Sequence, residues 1–342
     1  MFKNLLSKGI NGSTYTEAES RALMDDIMTG VATENQVASL LTLLRFRGET
    51  IDELTGFVKS MRKHAVPFST PFDNVVDTCG TGGDGAGTFN ISTAAAIVMA
   101  SIGVKVAKHG NRAFSSKSGS ADVLEHLNIP IQLDREEALQ ALEEHSMCFL
   151  YAPNYHAAMK HAVNPRKEIG FRTVFNILGP LCNPASCQRQ LLGVADPILA
   201  GKIAAVAQRI GMQKVMVVTG DDGLDECSIT TTSTLLEVTP QSIKKVKIDP
   251  TDVGLVKGNL MELSISSSSD SAALIQNIFK GKANRSAIEI VVLNAAVGLV
   301  VADKVQSLEA GVKLSKQAID SGNVWDHYLK MSGSRGMNRV YA

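Results

Sequence analysis

Net charge is the first thing this sequence lacks: across 342 residues, 34 Lys and Arg balance 34 Asp and Glu. Binders of nucleic acid or of membrane surfaces usually carry a net basic face, so neither partner is expected. Any anion must be caught locally, by a few placed groups. Cysteine pairs are missing too. The five cysteines, Cys79, Cys148, Cys182, Cys187 and Cys227, form an odd set with no C-x-x-C spacing. No histidine cluster sits beside the one close pair, Cys182 and Cys187, so reduced thiols in a cytoplasmic protein are expected rather than disulfides or zinc. Long apolar runs are also absent. Residues 93–104 and 288–302 fall short of a membrane span and carry Ser101, Glu289 and Asn294. The opening MFKNLLSKGING has no apolar stretch of signal-peptide length. What is present is 44% hydrophobic and 20% charged, which excludes a disordered chain, and the length suits two domains.

The first 65 residues predict three helices, each opened by a capping box: Thr14 with Glu17, Thr33 with Gln36, and Thr50 with Glu53. Behind them, Leu23/Ile27, Val37/Leu40/Leu41/Leu44 and Leu54/Phe57/Val58/Met61 have the spacing of one apolar helix face. Pro67 and Pro71 then break the pattern, as an inter-domain crossing would. From Val75 onward, short β-rich runs alternate with helical ones, ending in a β-ribbon at 235–238 and 243–248 and helices at 289–301 and 308–319. The expected architecture is α/β: a small N-terminal α-helical domain, residues 1–70, and a larger α/β domain, residues 71–342, with a mostly parallel central sheet. In such sheets ligands collect at the carboxyl ends of strands. The serine-rich stretch 264–271 reads as a solvated loop.

Three segments carry chemistry. Residues 77–93 read D-T-C-G-T-G-G-D-G-A-G-T-F-N-I-S-T, with five glycines between Gly80 and Gly87, after a strand and before a helix. Glycines let backbone amides approach an anion, and the helix start adds the positive end of its dipole, so the segment reads as a phosphate loop. It is neither a P-loop nor a usable G-x-G-x-x-G. The second, Lys108-His109-Gly110-Asn111-Arg112-Ala113-Phe114-Ser115-Ser116 and on to Ser120 and Asp122, packs two cations, an imidazole, an amide and hydroxyls into a strand end, a donor set suited to several phosphate oxygens. The third places Asp221, Asp222, Asp225 and Glu226 in six positions past another strand. A solvated acidic turn is the plain reading. The chemical one is Mg2+, bridging Asp225 and Glu226 to a pyrophosphate with Ser92 as a further oxygen ligand.

Together these segments resemble the anthranilate phosphoribosyltransferase family. The resemblance rests on D-T-C-G-T-G-G-D-G at 77–85, F-N-I-S-T at 89–93, K-H-G-N-R at 108–112 and S-S-K-S-G-S-A-D at 115–122. It also rests on Pro153 to His156 with Met159 and Lys160, on R-T-V-F-N-I-L-G-P at 172–180, and on D-G-L-D-E at 222–226. The motifs run in the family's order over nearly the whole chain. The resemblance implies that helices around 155–185 complete the helical domain and that the protein is a homodimer. It implies that Gly80, Gly83, Asp84, Thr88, Asn90, Ile91, Ser92, Thr93, residues 108–116 and Ser120 hold 5-phosphoribosyl 1-pyrophosphate (PRPP). Ser92, Asp225 and Glu226 are the implied Mg2+ ligands, with Glu226 able to serve two ions. Gly80, Asn111 and Arg166 are the implied anthranilate contacts, and Lys108, His109 and Asn111 the catalytic group. His109, Tyr155, His156, Arg172 and Pro180 match the family's aromatic-substrate channel.

The reaction so implied is attack of the anthranilate amine on ribose C1 with loss of pyrophosphate, and no covalent nucleophile is needed. Cys79 is accordingly read as a packing residue. Two departures stand out. Many relatives carry Gly-Gly-Asp-x-x-x-Asn where this chain has its serine-rich stretch, which contains no implied ligand, and Ala157 stands where proline commonly follows Tyr-His. Two alternatives bear different marks. A pyrimidine nucleoside phosphorylase would need no acidic metal pair. A non-catalytic nucleic-acid-binding paralogue would be basic and would have lost the 108–112 or the 225–226 set.

Overall fold

The computed structural model describes residues 1–113 and 117–333. Its N-terminal part has four helices, one more than expected: α1 (Phe2–Ile10), α2 (Glu17–Met28), α3 (Glu34–Arg47) and α4 (Ile51–His64). The extra helix has no side-chain cap, which hid it, but buries Phe2, Leu5 and Gly9. The boxes at Thr33 and Thr50 form as expected. The box assigned to Thr14 belongs instead to Thr16 and Glu19. The shift of two residues leaves Tyr15 just outside the helix, where it is buried and donates its amide to Glu53 Oε1 at 2.9 Å.

The larger part runs β1 (Val76–Gly80), α5 (Ile91–Ser101), β2 (Val106–Gly110), α6 (Ser120–His126), α7 (Arg135–His145) and β3 (Met147–Tyr151). It continues with α8 (Ala152–Tyr155), α9 (Lys160–Ile169), α10 (Val174–Leu178), β4 (Arg189–Gly193), α11 (Pro197–Arg209), β5 (Lys214–Gly220), β6 (Ser233–Val238) and β7 (Ile243–Ile248). Four helices follow: α12 (Ser268–Phe279), α13 (Arg285–Val301), α14 (Leu308–Asp320) and α15 (Asn323–Met331). The strands form one sheet in the order β3-β2-β1-β4-β5-β6-β7. Neighbours are parallel from β3 to β5, and the β6–β7 ribbon closes the far edge antiparallel.

Alternation along β5 displays the layering, because successive side chains point to opposite faces. Met216 and Val218 pack with α5 and the C-terminal helices, while Val215 and Val217 pack with α11, α10 and the apolar faces of α2, α3 and α4. The helical part is thus continuous with the core beneath the sheet. The serine-rich stretch departs from expectation. Ser267 caps α12, its hydroxyl accepting from the Asp270 amide, and Ser271 is fully buried. A run of serines reads as solvated by composition, but here one serine ends a chain segment and starts a helix.

Candidate active site

The direction of strand addition reverses between β1 and β4, and in an open α/β sheet the crevice at such a switch point is where ligands bind. Four of the strands there, β1, β2, β4 and β5, end on a glycine: Gly80, Gly110, Gly193 and Gly220. A side chain at Gly80 would strike the Asp225 carboxylate, and one at Gly193 would strike the Asp225 backbone. Bare strand ends therefore let the acidic turn after β5 lie directly across β1 and β4. Asp225 Oδ2 accepts the Gly82 amide at 2.9 Å, and Glu226 Oε1 accepts the Ser92 amide, in the first turn of α5, at 3.1 Å.

Both acidic residues are half-buried, and their carboxyl groups are crowded by protein. Burial first, then Asp84, raises the Asp225 pKa, and burial followed by Asp225 raises that of Glu226. Lys108, buried in β2, points to the same place: its Nζ donates to the Thr78 carbonyl and lies 3.4 Å from both Thr78 Oγ1 and Ser92 Oγ. Burial lowers the Lys108 pKa, opposed by Asp77, Cys79 and Glu226. Among the described residues no three His, Cys, Asp or Glu converge to cage a metal. Two acidic side chains and the Ser92 hydroxyl are a partial oxygen set, of the kind that fits a cation completed by ligand oxygens and water.

The glycine loop is held from outside as well. Arg172 Nη2 donates to the carbonyls of Thr81 and Gly82, at 2.8 Å each. Its guanidinium fills the space a side chain at Gly83 would need, and Gly83 has φ +81. Beyond lie His109 and His156, both buried, with ring centroids 5.1 Å apart. Burial, then His156, pushes His109 down to about 3, and burial also lowers His156, so both rings are neutral near pH 7. Arg166 on α9 sets its guanidinium 5.3 Å from the Phe175 ring centre. Cys79 is raised well above the usual thiol range by burial and then by Asp77, the opposite of an activated nucleophile.

The chain matches the model of a glycosyl transferase family α/β domain over residues 72–325 and that of its helical bundle domain over residues 3–65. It is 55% identical to an anthranilate phosphoribosyltransferase of Halalkalibacterium halodurans over 96% of both chains. The crystal structure of the Thermus thermophilus enzyme of that name superposes with a TM-score of 0.89 at 36% identity, covering 96% of this chain and 98% of that one. The chain belongs to the anthranilate phosphoribosyltransferase family. The Saccharomyces cerevisiae member in complex with PRPP and Mg superposes with a TM-score of 0.88 at 26% identity, over 97% and 98% of the two chains.

Of the residues the family motifs single out, Gly80, Gly83, Asp84, Ser92, Lys108, Asp225 and Glu226 meet at the switch point through the contacts above. Ile91 and Thr93 bury their side chains in α5, and the Ile91 amide is already bonded to the Phe89 carbonyl at 2.8 Å. Thr88 forms an isolated β-bridge with Ser264. Arg112 turns toward α6, its guanidinium on Glu125 at 2.6 and 2.7 Å and on Asp122 at 3.2 Å. Asn111 Oδ1 accepts the Arg112 amide at 2.8 Å, and the Asn111 carbonyl accepts from Ser120 Oγ at 3.3 Å. The Ala113 amide donates to Asp122 at 2.8 Å. Phe114, Ser115 and Ser116 lie outside the described residues. Sequence reasoning missed Ser271, which bonds Asn90, because its only signal was an apparently solvated serine run. It also missed β4, a five-residue strand carrying Arg189 and Gln190, too short and polar to register as central.

Proposed function

We infer that the protein transfers the 5-phosphoribosyl group of PRPP to the amine of anthranilate, releasing pyrophosphate and forming N-(5-phosphoribosyl)anthranilate, a step of tryptophan biosynthesis. The observation that carries this reading is the meeting of Gly82 with Asp225 and of Ser92 with Glu226: a phosphate loop and an acidic pair on one sheet edge, with Lys108 beneath.

The reaction breaks the C1–O bond to pyrophosphate and forms a C1–N bond, and the amine then loses one proton. An aromatic amine is weakly basic and already unprotonated near neutral pH, so the protein's main task is the departing pyrophosphate. In this reading the loop amides, the start of α5 and the Lys108 ammonium hold its oxygens, with Asn111 and the second loop around them. Asp225, Glu226 and Ser92 would hold Mg2+, two ions per site in the full reading, which neutralises charge on the leaving group. Arg166 suits the anthranilate carboxylate, since a guanidinium fork matches a carboxylate. The neutral His109 and His156 would line the aromatic channel without adding charge.

The same reading divides the chain near residue 70, assigns the 155–185 helices to the helical domain, and makes the protein a cytoplasmic homodimer without nucleic-acid or membrane partners. Ile10, Val31 and Phe46, exposed on the helical part, suit such an interface. Among the described residues, no helix is long and apolar enough to cross a membrane. The test is anthranilate consumption with PRPP and Mg2+. PRPP-dependent loss of anthranilate fluorescence supports the reading, and its absence while thymidine or uridine is phosphorolysed would replace it with a nucleoside phosphorylase.

A further inference from the structure

Asn90 joins three segments of the chain. Its amide donates to Ser271 Oγ at 3.0 Å, and the same hydroxyl donates back to Asn90 Oδ1 at 2.8 Å. Oδ1 also accepts from Ser118 Oγ at 2.7 Å, while Nδ2 donates to the Ser118 carbonyl at 3.1 Å. Both acceptor positions of Oδ1 are thereby spent on the protein itself. Ser271 is fully buried in the first turn of α12, and Asn90 and Ser118 are half-buried above it.

The chain just before α12 closes the other side of the same joint. The Phe89 amide donates to the Leu263 carbonyl at 3.0 Å, and the Ile265 amide to the Gly87 carbonyl at 3.0 Å. Lys117 Nζ, from the second loop, reaches the Ile265 carbonyl at 2.9 Å. Residues 263–271 thus strap the exit of the glycine loop to the far end of the second loop. No candidate ligand lies within the strap, yet it holds both loops that would share one phosphorylated ligand.

We propose that Ser271 is a positioning residue for PRPP: acting through Asn90, it sets the start of α5 and the Ser118 end of the second loop at the spacing that both need to grip one ligand. The proposal rests on the reading of the site as a PRPP site. It requires Ser271 to influence the phosphorylated substrate and not the aromatic one, because Asn90 touches the loops and not the His109–His156 channel.

The test uses the full chain, with the PRPP Kd measured calorimetrically in Mg2+ without anthranilate, and both KM values measured in turnover. Ser271→Ala removes both hydrogen bonds to Asn90 and should raise the PRPP Kd and KM about five- to tenfold or more, leaving the anthranilate KM within about twofold. Asn90→Ala with Ser271→Ala should raise the PRPP Kd by less than the product of the two single effects, since the side-chain bond they share is lost only once, while the bond to the Asn90 amide is lost with Ser271 alone. Ser118→Ala, which leaves α12 untouched, should move the same constants in the same direction should the Ser271 variant fold poorly. An unchanged PRPP Kd in both single variants, or full additivity in the double variant, overturns the proposal. A shifted PRPP Kd in an enzyme that ignores anthranilate supports the proposal and rejects only the acceptor. No PRPP binding by the unsubstituted chain overturns both.

Discussion

Asp225 Oδ2 accepts the backbone amide of Gly82 at 2.9 Å, which ties the acidic turn after β5 to the glycine loop after β1. Positions 143 residues apart meet there only because Gly80 and Gly193 have no side chains to hold them off. The acidic pair is therefore joined to the glycine loop, and a solvated acidic turn is excluded as a description of residues 225 and 226.

Replacing Asp225 and Glu226 together by alanine should lower kcat about 10²-fold or more, as loss of preorganised charge stabilisation does, and should abolish the response to added Mg2+. The substrate-free thermal midpoint should hold or rise, because two crowded and mutually repelling carboxylates are removed. Steady-state rates across a Mg2+ titration and a melting curve check both halves.

Arg166→Ala should raise the anthranilate KM about tenfold, the scale of a lost charge-assisted hydrogen bond, with the PRPP KM within about twofold. A selective loss of PRPP binding would assign the guanidinium to the other substrate.

Gly83 and Gly85 offer a paired comparison. Both have positive φ, +81 and +71, so alanine at either carries backbone strain of about 1–2 kcal/mol. Only at Gly83 does the new methyl also meet the Arg172 guanidinium. Gly83→Ala should therefore raise the PRPP KM well beyond Gly85→Ala. Equal effects would mean that the Arg172 clamp does not matter to the loop.

Two histidines should each take stability away on acidification below pH 6.5, against the relief that protonation gives the crowded Asp225 and Glu226. Burial, then His145, lowers His327 to about 4, and His109 is lowered to about 3. A base whose folded pKa is depressed binds fewer protons folded than unfolded, so its contribution is intact above about 6.5 and is lost as pH drops toward the folded value. The slope is at most about 1.4 kcal/mol per pH unit per group. His327→Gln, remote from the cleft, should flatten the denaturant-midpoint profile between pH 6.5 and 4 without changing kcat at pH 7.5.

Much of this was legible because each chemical segment is contiguous: a strand end followed by glycines, cations or acids declares itself within ten or so residues. The α/β alternation, the β6–β7 ribbon and the helix caps at Thr33 and Thr50 are equally local. What escaped depends on distant partners. Thr14 and Thr16 both satisfy a capping box, and only burial of Tyr15, with its amide on Glu53, decides between them. Ser271 reads as one solvated serine among several until it meets Asn90, 181 positions away. The sequence shows Arg172 only as a match to the aromatic-substrate channel; its bonds to Thr81 and Gly82, some 90 positions away, make it also a clamp on the glycine loop.

The most direct test of the central claim is a continuous fluorescence assay of the purified protein with anthranilate, PRPP and Mg2+. The expected result is a PRPP-dependent fall in anthranilate fluorescence with stoichiometric release of pyrophosphate, lost in the Asp225→Ala/Glu226→Ala double variant. Unchanged fluorescence and no pyrophosphate across Mg2+ concentrations and pH, from a protein that is folded by circular dichroism, would contradict it.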